Sequence, residues 1–142
     1  MIAFDTNILV YAHRKDSAFH DRARQCLKQA AEGLEAWAIP WPCLHEFLAI
    51  VTNPRIFKVP TPTGEAMAQV DAWLASPTVH LLAEDVGYLD VFRRLIAQGR
   101  INGGKVHDAR VAALAIFHGA SALLTADRDF SRFPALATRN PL

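Results

Sequence analysis

Four acidic residues, Asp5, Glu46, Asp108 and Asp127, stand at the ends of hydrophobic segments spread along the whole chain. A fifth, Asp129, follows two positions after the last of them. Water solvates a single carboxylate well, but carboxylates held a few ångströms apart repel one another. If the fold gathers these acids, a bound cation must offset the repulsion. An all-oxygen donor set suits a hard divalent ion, Mg²⁺ or Mn²⁺. Such an ion activates water and stabilises charge on a departing oxygen. The acids therefore point to metal-assisted cleavage of a phosphodiester, on condition that they meet.

Alternating apolar strands and amphipathic helices are the means of bringing them together. Ile2-Ala3-Phe4 reads as a short buried strand that stops at Asp5-Thr6-Asn7. This polar turn leads into a helix that Thr6 or Asn7 can cap. Helical spacing joins Phe19, Ala23, Cys26, Leu27, Ala30 and Leu34 into one apolar stripe, with Gly33 marking the end. Residues 36–39 read as a second strand. Trp41 to Asn53 reads as a helix with Pro42 in its first turn and Glu46 early in it. Three prolines make residues 54–63 a loop. Thr63 opens a helix whose stripe is Met67, Val70, Trp73 and Leu74. A third strand is predicted at 79–82, then a helix from about Val86 to Gln98 and a Gly-bearing loop to Lys105. The strongly apolar helix from Val106 to His118 carries Asp108 in its first turn and Gly119 as its cap. Residues 122–125 read as a fourth strand and residues near 136–138 as a fifth. This alternation predicts an α/β fold, a parallel sheet with helices on both faces.

In open parallel sheets, sites form outside the carboxyl ends of the strands. Asp5 lies at the end of the first strand, and Asp127 follows the fourth by two residues. Helices that enter after strands begin at that same edge, which is where Glu46 and Asp108 fall. Helix N-termini carry partial positive charge and lower the cost of holding carboxylates there. One topological rule thus brings all four acids to one rim.

Composition sets the remaining bounds. A chain of 142 residues, 51% hydrophobic and 20% charged, fits a single compact domain spanning 1–142. No apolar run approaches the roughly 18 residues that a membrane helix requires. The first residues lack the pattern of a secretory signal. Cys26 and Cys43 lie in apolar helical patterns and read as reduced, buried thiols, which points to the cytoplasm. A net charge of +1 argues against affinity for nucleic acid through bulk positive charge, while leaving room for a local basic rim. The six histidines show no HxxxH spacing and the cysteines no CxxC, so a closed zinc site is not expected.

Four pieces now stand in order along nearly the full chain. They are Asp5-Thr6-Asn7, Glu46, Val106-His107-Asp108-Ala109, and Thr125-Ala126-Asp127-Arg128-Asp129-Phe130. In this the chain resembles the PIN-domain ribonucleases, specifically the VapC toxins of bacterial toxin–antitoxin pairs. The resemblance implies a PIN-like, Rossmann-like fold and a Mg²⁺- or Mn²⁺-dependent endoribonuclease. It implies a homodimer inhibited by a small VapB-type antitoxin. It carries metal binding onto Asp5 and Asp108 first, and onto Glu46 and Asp127 next. Family members differ in which acid of the last motif serves, so Asp127 and Asp129 both stand as candidates. Thr6 and Asn7 would orient Asp5, and Thr125 the last acid or a water. Arg14, Lys105 and Arg128 are the candidates for contact with the RNA backbone. Arg110 stands about 200° around the helix from Asp108 and is expected to point elsewhere.

Other readings make different demands. A phosphatase of the haloacid dehalogenase type would place a second acid two positions after Asp5, where Asn7 stands. A phospho-receiver would place a lysine late in the chain, and the segment after Thr125 offers Arg128 and no lysine. A catalytically silent binding module would keep the acids for structure alone, with neither Mg²⁺-dependent stabilisation nor RNA cleavage.

Overall fold

The computed structural model describes residues 1–142. Five strands form one sheet: β1 (Ile2–Phe4), β2 (Trp37–Pro40), β3 (Val79–Leu82), β4 (Ala122–Leu124) and β5 (Thr138–Arg139). Every pairing is parallel, and the spatial order is β3-β2-β1-β4-β5. Six helices connect them: α1 (Thr6–His13), α2 (His20–Glu32), α3 (Trp41–Val51), α4 (Thr63–Leu74), α5 (Tyr88–Gly99) and α6 (Lys105–Phe117). A short 3₁₀ turn, Arg128–Arg132, leads from β4 towards β5. No helix is long and apolar enough to cross a membrane.

The chain steps outward from β1 through β2 to β3, then returns past β1 to lay down β4. Right-handed crossovers put the helices of the outward steps on one face and those of the return on the other. Burial agrees, since β2 is buried along its whole length, as a strand covered on both faces must be. Phe4, Trp37, Ile8, Leu9, Phe47, Leu114 and Leu123 are among the largest fully buried side chains. Phe4 meets Trp37 edge to face at 5.6 Å. Burying each of these side chains contributes roughly 1.5–3 kcal/mol. Between β1 and β4 the connections depart in opposite directions, which opens a crevice at their carboxyl ends.

Several local expectations are corrected. The cap of α1 is Asp5, not Thr6 or Asn7, because the backbone stays extended through Asp5 and its carboxylate reaches the Thr6 N–H. The stripe of α2 holds at Ala23 and Leu27 but fails at both ends, with Phe19 47% and Leu34 100% exposed. Gly33 turns to extended backbone and throws Leu34 off the helix face. In α4 the buried stripe is Ala66, Val70 and Trp73, while Met67 is 43% exposed. A small alanine, not the methionine, marks the register. Cys43 is buried, but Cys26 is only half-buried. The fifth strand starts two residues later than predicted, since Leu136 plugs the core instead of pairing.

Candidate active site

Asp5 leaves β1 with its N–H still bonded to the Leu124 carbonyl, 3.0 Å away in β4. Its carboxylate is thereby set at the crevice, only 6% exposed. Oδ1 accepts from the Thr6 N–H at 2.8 Å and from the Cys43 thiol at 3.7 Å. Oδ2 accepts from the Thr125 hydroxyl at 2.7 Å and from the Asn7 amide at 3.2 Å. Burial pushes the Asp5 pKa up to about 6, against the pull of the Thr125 and Thr6 hydrogen bonds and with a further push from Glu46.

Thr125 is the node of this corner. While donating to Asp5, its hydroxyl accepts from Asn7 Nδ2 at 3.2 Å and from the Asp127 N–H at 3.0 Å. Asn7 Oδ1 in turn accepts from the Ala126 N–H at 3.1 Å. The turn after β1 and the exit from β4 are stitched together across the crevice. Thr125→Val is therefore expected to cost about 2–3 kcal/mol, because it leaves buried polar partners unpaired. Urea denaturation checks this. Thr125→Ser should restore most of the loss, and a valine variant with an unchanged midpoint would show the node to be structurally idle.

The remaining acids come from three other elements. Asp127 caps the 3₁₀ turn, its Oδ1 accepting from the Asp129 N–H at 2.8 Å. Asp108 stands in the first turn of α6. Carboxylate oxygens of Asp108, Asp127 and Asp129 all lie within 4.8 Å of one another. Burial raises the Asp108 pKa first, and repulsion from Asp127, Asp129 and Glu46 adds to the rise while Lys105 opposes it. Glu46 projects from α3, exposed, and accepts from the Thr6 hydroxyl at 3.3 Å. It links the two halves of the site, since its charge acts on Asp5 and on Asp108 alike.

The predicted residues thus divide. Asp108, Asp127 and Asp129 share one cluster; Asp5 and Glu46 are joined through Thr6; Asn7 and Thr125 brace Asp5. Arg14, expected at the RNA, is occupied elsewhere. Its side chain is 11% exposed, paired with Asp16 and donating to the Val59 carbonyl at 2.8 Å, with its guanidinium over the Phe57 ring. It fastens the proline-bearing loop. Arg110 pairs with Glu84, yet it lines the same cleft as Asp108 rather than pointing elsewhere. Arg128 is exposed at the head of the 3₁₀ turn and free of ion pairs. Lys105 lies inside the acid cluster: its ammonium contacts Asp129 and stands 3.9 Å from Asp108 Oδ2.

Two features escape sequence reading. One is Cys43 against Asp5, a contact between residues 38 apart with no local signature. The other is a cleft of about 550 Å³ between α3 and α6, with His45, Glu46, His107, Asp108 and Arg110 among its walls. The Lys105–Asp108 spacing of one helical turn is a signal that was present.

This donor set fits a hard divalent ion. All its members are carboxylate oxygens, three of them converge, and an ammonium already serves as counter-cation. A parallel α/β sheet with three converging carboxylates at its switch point is the frame of the site. The chain belongs to the PIN domain family, whose model matches residues 2–136. Over 142 residues it is 39% identical to Ribonuclease VapC43 of Mycobacterium tuberculosis, covering 100% of this chain and 96% of that relative. It is similar to the crystal structure of VapBC2 from Rickettsia felis bound to a DNA fragment from their promoter. That match has a TM-score of 0.72 at 24% identity, over 99% of this chain and 98% of the other. It is also similar to the crystal structure of Mycobacterium tuberculosis VapC20, a Sarcin-Ricin loop cleaving toxin. There the TM-score is 0.64 at 19% identity, over 92% and 93% of the two chains. Both structures establish the shared fold.

Proposed function

We propose that this chain is a divalent-metal-dependent endoribonuclease and the toxin of a toxin–antitoxin pair. One observation carries the reading: Asp108, Asp127 and Asp129 converge to within 4.8 Å at the sheet edge where Asp5 and Glu46 also stand. Full-length kinship with a protein named as a ribonuclease supports RNA as the substrate class. Asp108, Asp127 and Asp129 would hold Mg²⁺ or Mn²⁺, with Glu46 and Asp5 completing the acidic rim. When bound, the ion supplies activation of water and neutralises charge on the departing oxygen.

The chain's own groups do the positioning. Thr125 and Asn7 hold Asp5 and the Asp127 turn in one frame, so the acids do not need to reorganise. The Thr6 hydroxyl orients Glu46. Arg128, unpaired beside the acids, meets a backbone phosphate. The cleft between α3 and α6 gives room for the nucleotide next to the scissile bond. A second copy of the chain and a small VapB-type antitoxin are its protein partners, in the cytoplasm.

The test is incubation of the purified chain with structured RNA in Mg²⁺, in Mn²⁺ and in EDTA. Internal cuts are expected only with the ions, and with no 2′,3′-cyclic phosphate ends, since water rather than the ribose 2′-hydroxyl attacks. Cutting that persists in EDTA and leaves cyclic ends would overturn the reading. So would a protein that cuts no RNA and gains no stability from either ion. Expression should arrest growth, with relief when a small neighbouring gene is co-expressed.

A further inference from the structure

We infer that the Lys105 ammonium is a tethered counter-ion: it occupies the acid cluster when no divalent ion is bound, and ion binding must displace it. This rests on the metal-site reading above. Lys105 is the first residue of α6, one turn before Asp108, so both side chains lie on one face. From there its ammonium reaches past Asp108, at 3.9 Å, to contact Asp129, a residue 24 positions away. It thus bridges two of the three carboxylates that converge, whereas Arg128 is exposed and forms no ion pair.

Displacement is open to it. The Lys105 side chain is 40% exposed, so it can swing to solvent without disturbing the core. The Asp127 corner of the cluster is held independently of it, because the Asp127 carboxylate accepts from the Asp129 N–H and the Asp127 N–H donates to Thr125. Gly103 and Gly104 precede it, and Gly103 holds a left-handed φ of +57°. An ammonium and a divalent ion seeking the same oxygens repel each other, so they compete. In this arrangement Lys105 lowers repulsion in the metal-free protein and lowers its affinity for the ion.

The experiment is calorimetric titration of Mn²⁺ into wild type, K105M and K105R, without RNA. K105M is expected to bind Mn²⁺ on the order of five- to tenfold more tightly, the scale of a small exposed ion-pair network. K105R, which keeps the charge, should match wild type. In EDTA, K105M should melt below wild type and gain more from added Mn²⁺. Unchanged or weaker affinity in K105M overturns the inference. If all three bind equally, the metal site stands and only the role of Lys105 falls. If none binds Mn²⁺, the metal reading falls with it.

Discussion

Asp5→Asn is expected to lower RNA cleavage by about 10³-fold or more, and in EDTA to raise the melting temperature of the protein above pH 6. The second effect follows from the cost of the buried charge. Asp5 has an ordinary carboxyl value of 3.8, which burial pushes up to about 6 in the fold. A pKa raised by folding means that the fold favours the protonated acid. Its stabilising contribution is full below pH 3.8 and is lost as the pH rises through about 6. The two-unit difference corresponds to roughly 3 kcal/mol. Asparagine carries no charge and avoids that loss. It also presents an N–H₂ where a second acceptor stood, facing the donors of Asn7 and Thr125, at about 1–2 kcal/mol. The net gain is about 1–2 kcal/mol at pH 7–8, a few degrees for a domain of this size. Below pH 4 the variant should be slightly the less stable. Melting curves in EDTA across pH 4–8, beside cleavage rates in Mg²⁺, check both halves. An asparagine variant that cuts RNA at the wild-type rate would remove Asp5 from the site. One that melts below wild type at pH 8 would show the buried charge to be well compensated.

Asp108→Asn carries the second large effect, and its signature differs. Asp108 belongs to the three-acid cluster, whereas the Asp5 oxygens are taken by protein donors. Losing one of three converging carboxylates is expected to weaken Mn²⁺ binding by about 100-fold, because charge count sets affinity at such sites. RNA cleavage should fall by about 10²–10³-fold. The variant's melting temperature should no longer respond to millimolar Mg²⁺. In EDTA its stability should change little, since the repulsion relieved from Asp127 is offset by attraction lost to Lys105. Calorimetry and melting in a Mg²⁺ series decide it. Wild-type ion affinity in this variant would place the ion elsewhere.

The sheet was largely legible along the chain because its signals are local. The runs at 2–4, 36–39, 79–82 and 122–125 are too short for helices and are separated by amphipathic stretches, and the strands fall within one residue of them. Their alternation leaves a parallel sheet as the arrangement that buries both faces. Boundaries slipped where one residue's backbone overrode periodicity. Gly33 exposed Leu34, and the unbroken extended run made Asp5 the cap. The 3₁₀ turn after Asp127 was missed because a run of Asp and Arg carries no apolar period.

For the site, residue order alone determined which acids could meet: each stands where a strand ends or a helix begins, and in a parallel sheet those places share an edge. Only the tertiary structure decided how they meet. It joined Asp127 and Asp129 to Asp108, buried Asp5 under Thr125 and Cys43, turned Lys105 to Asp129 and committed Arg14 to the loop at Val59. The reason is one of range. Strand and helix identity follows from neighbours within a few positions. The direction of a charged side chain follows from partners that reach it from the far end of the chain, 120 residues away in the case of Asp5 and Thr125.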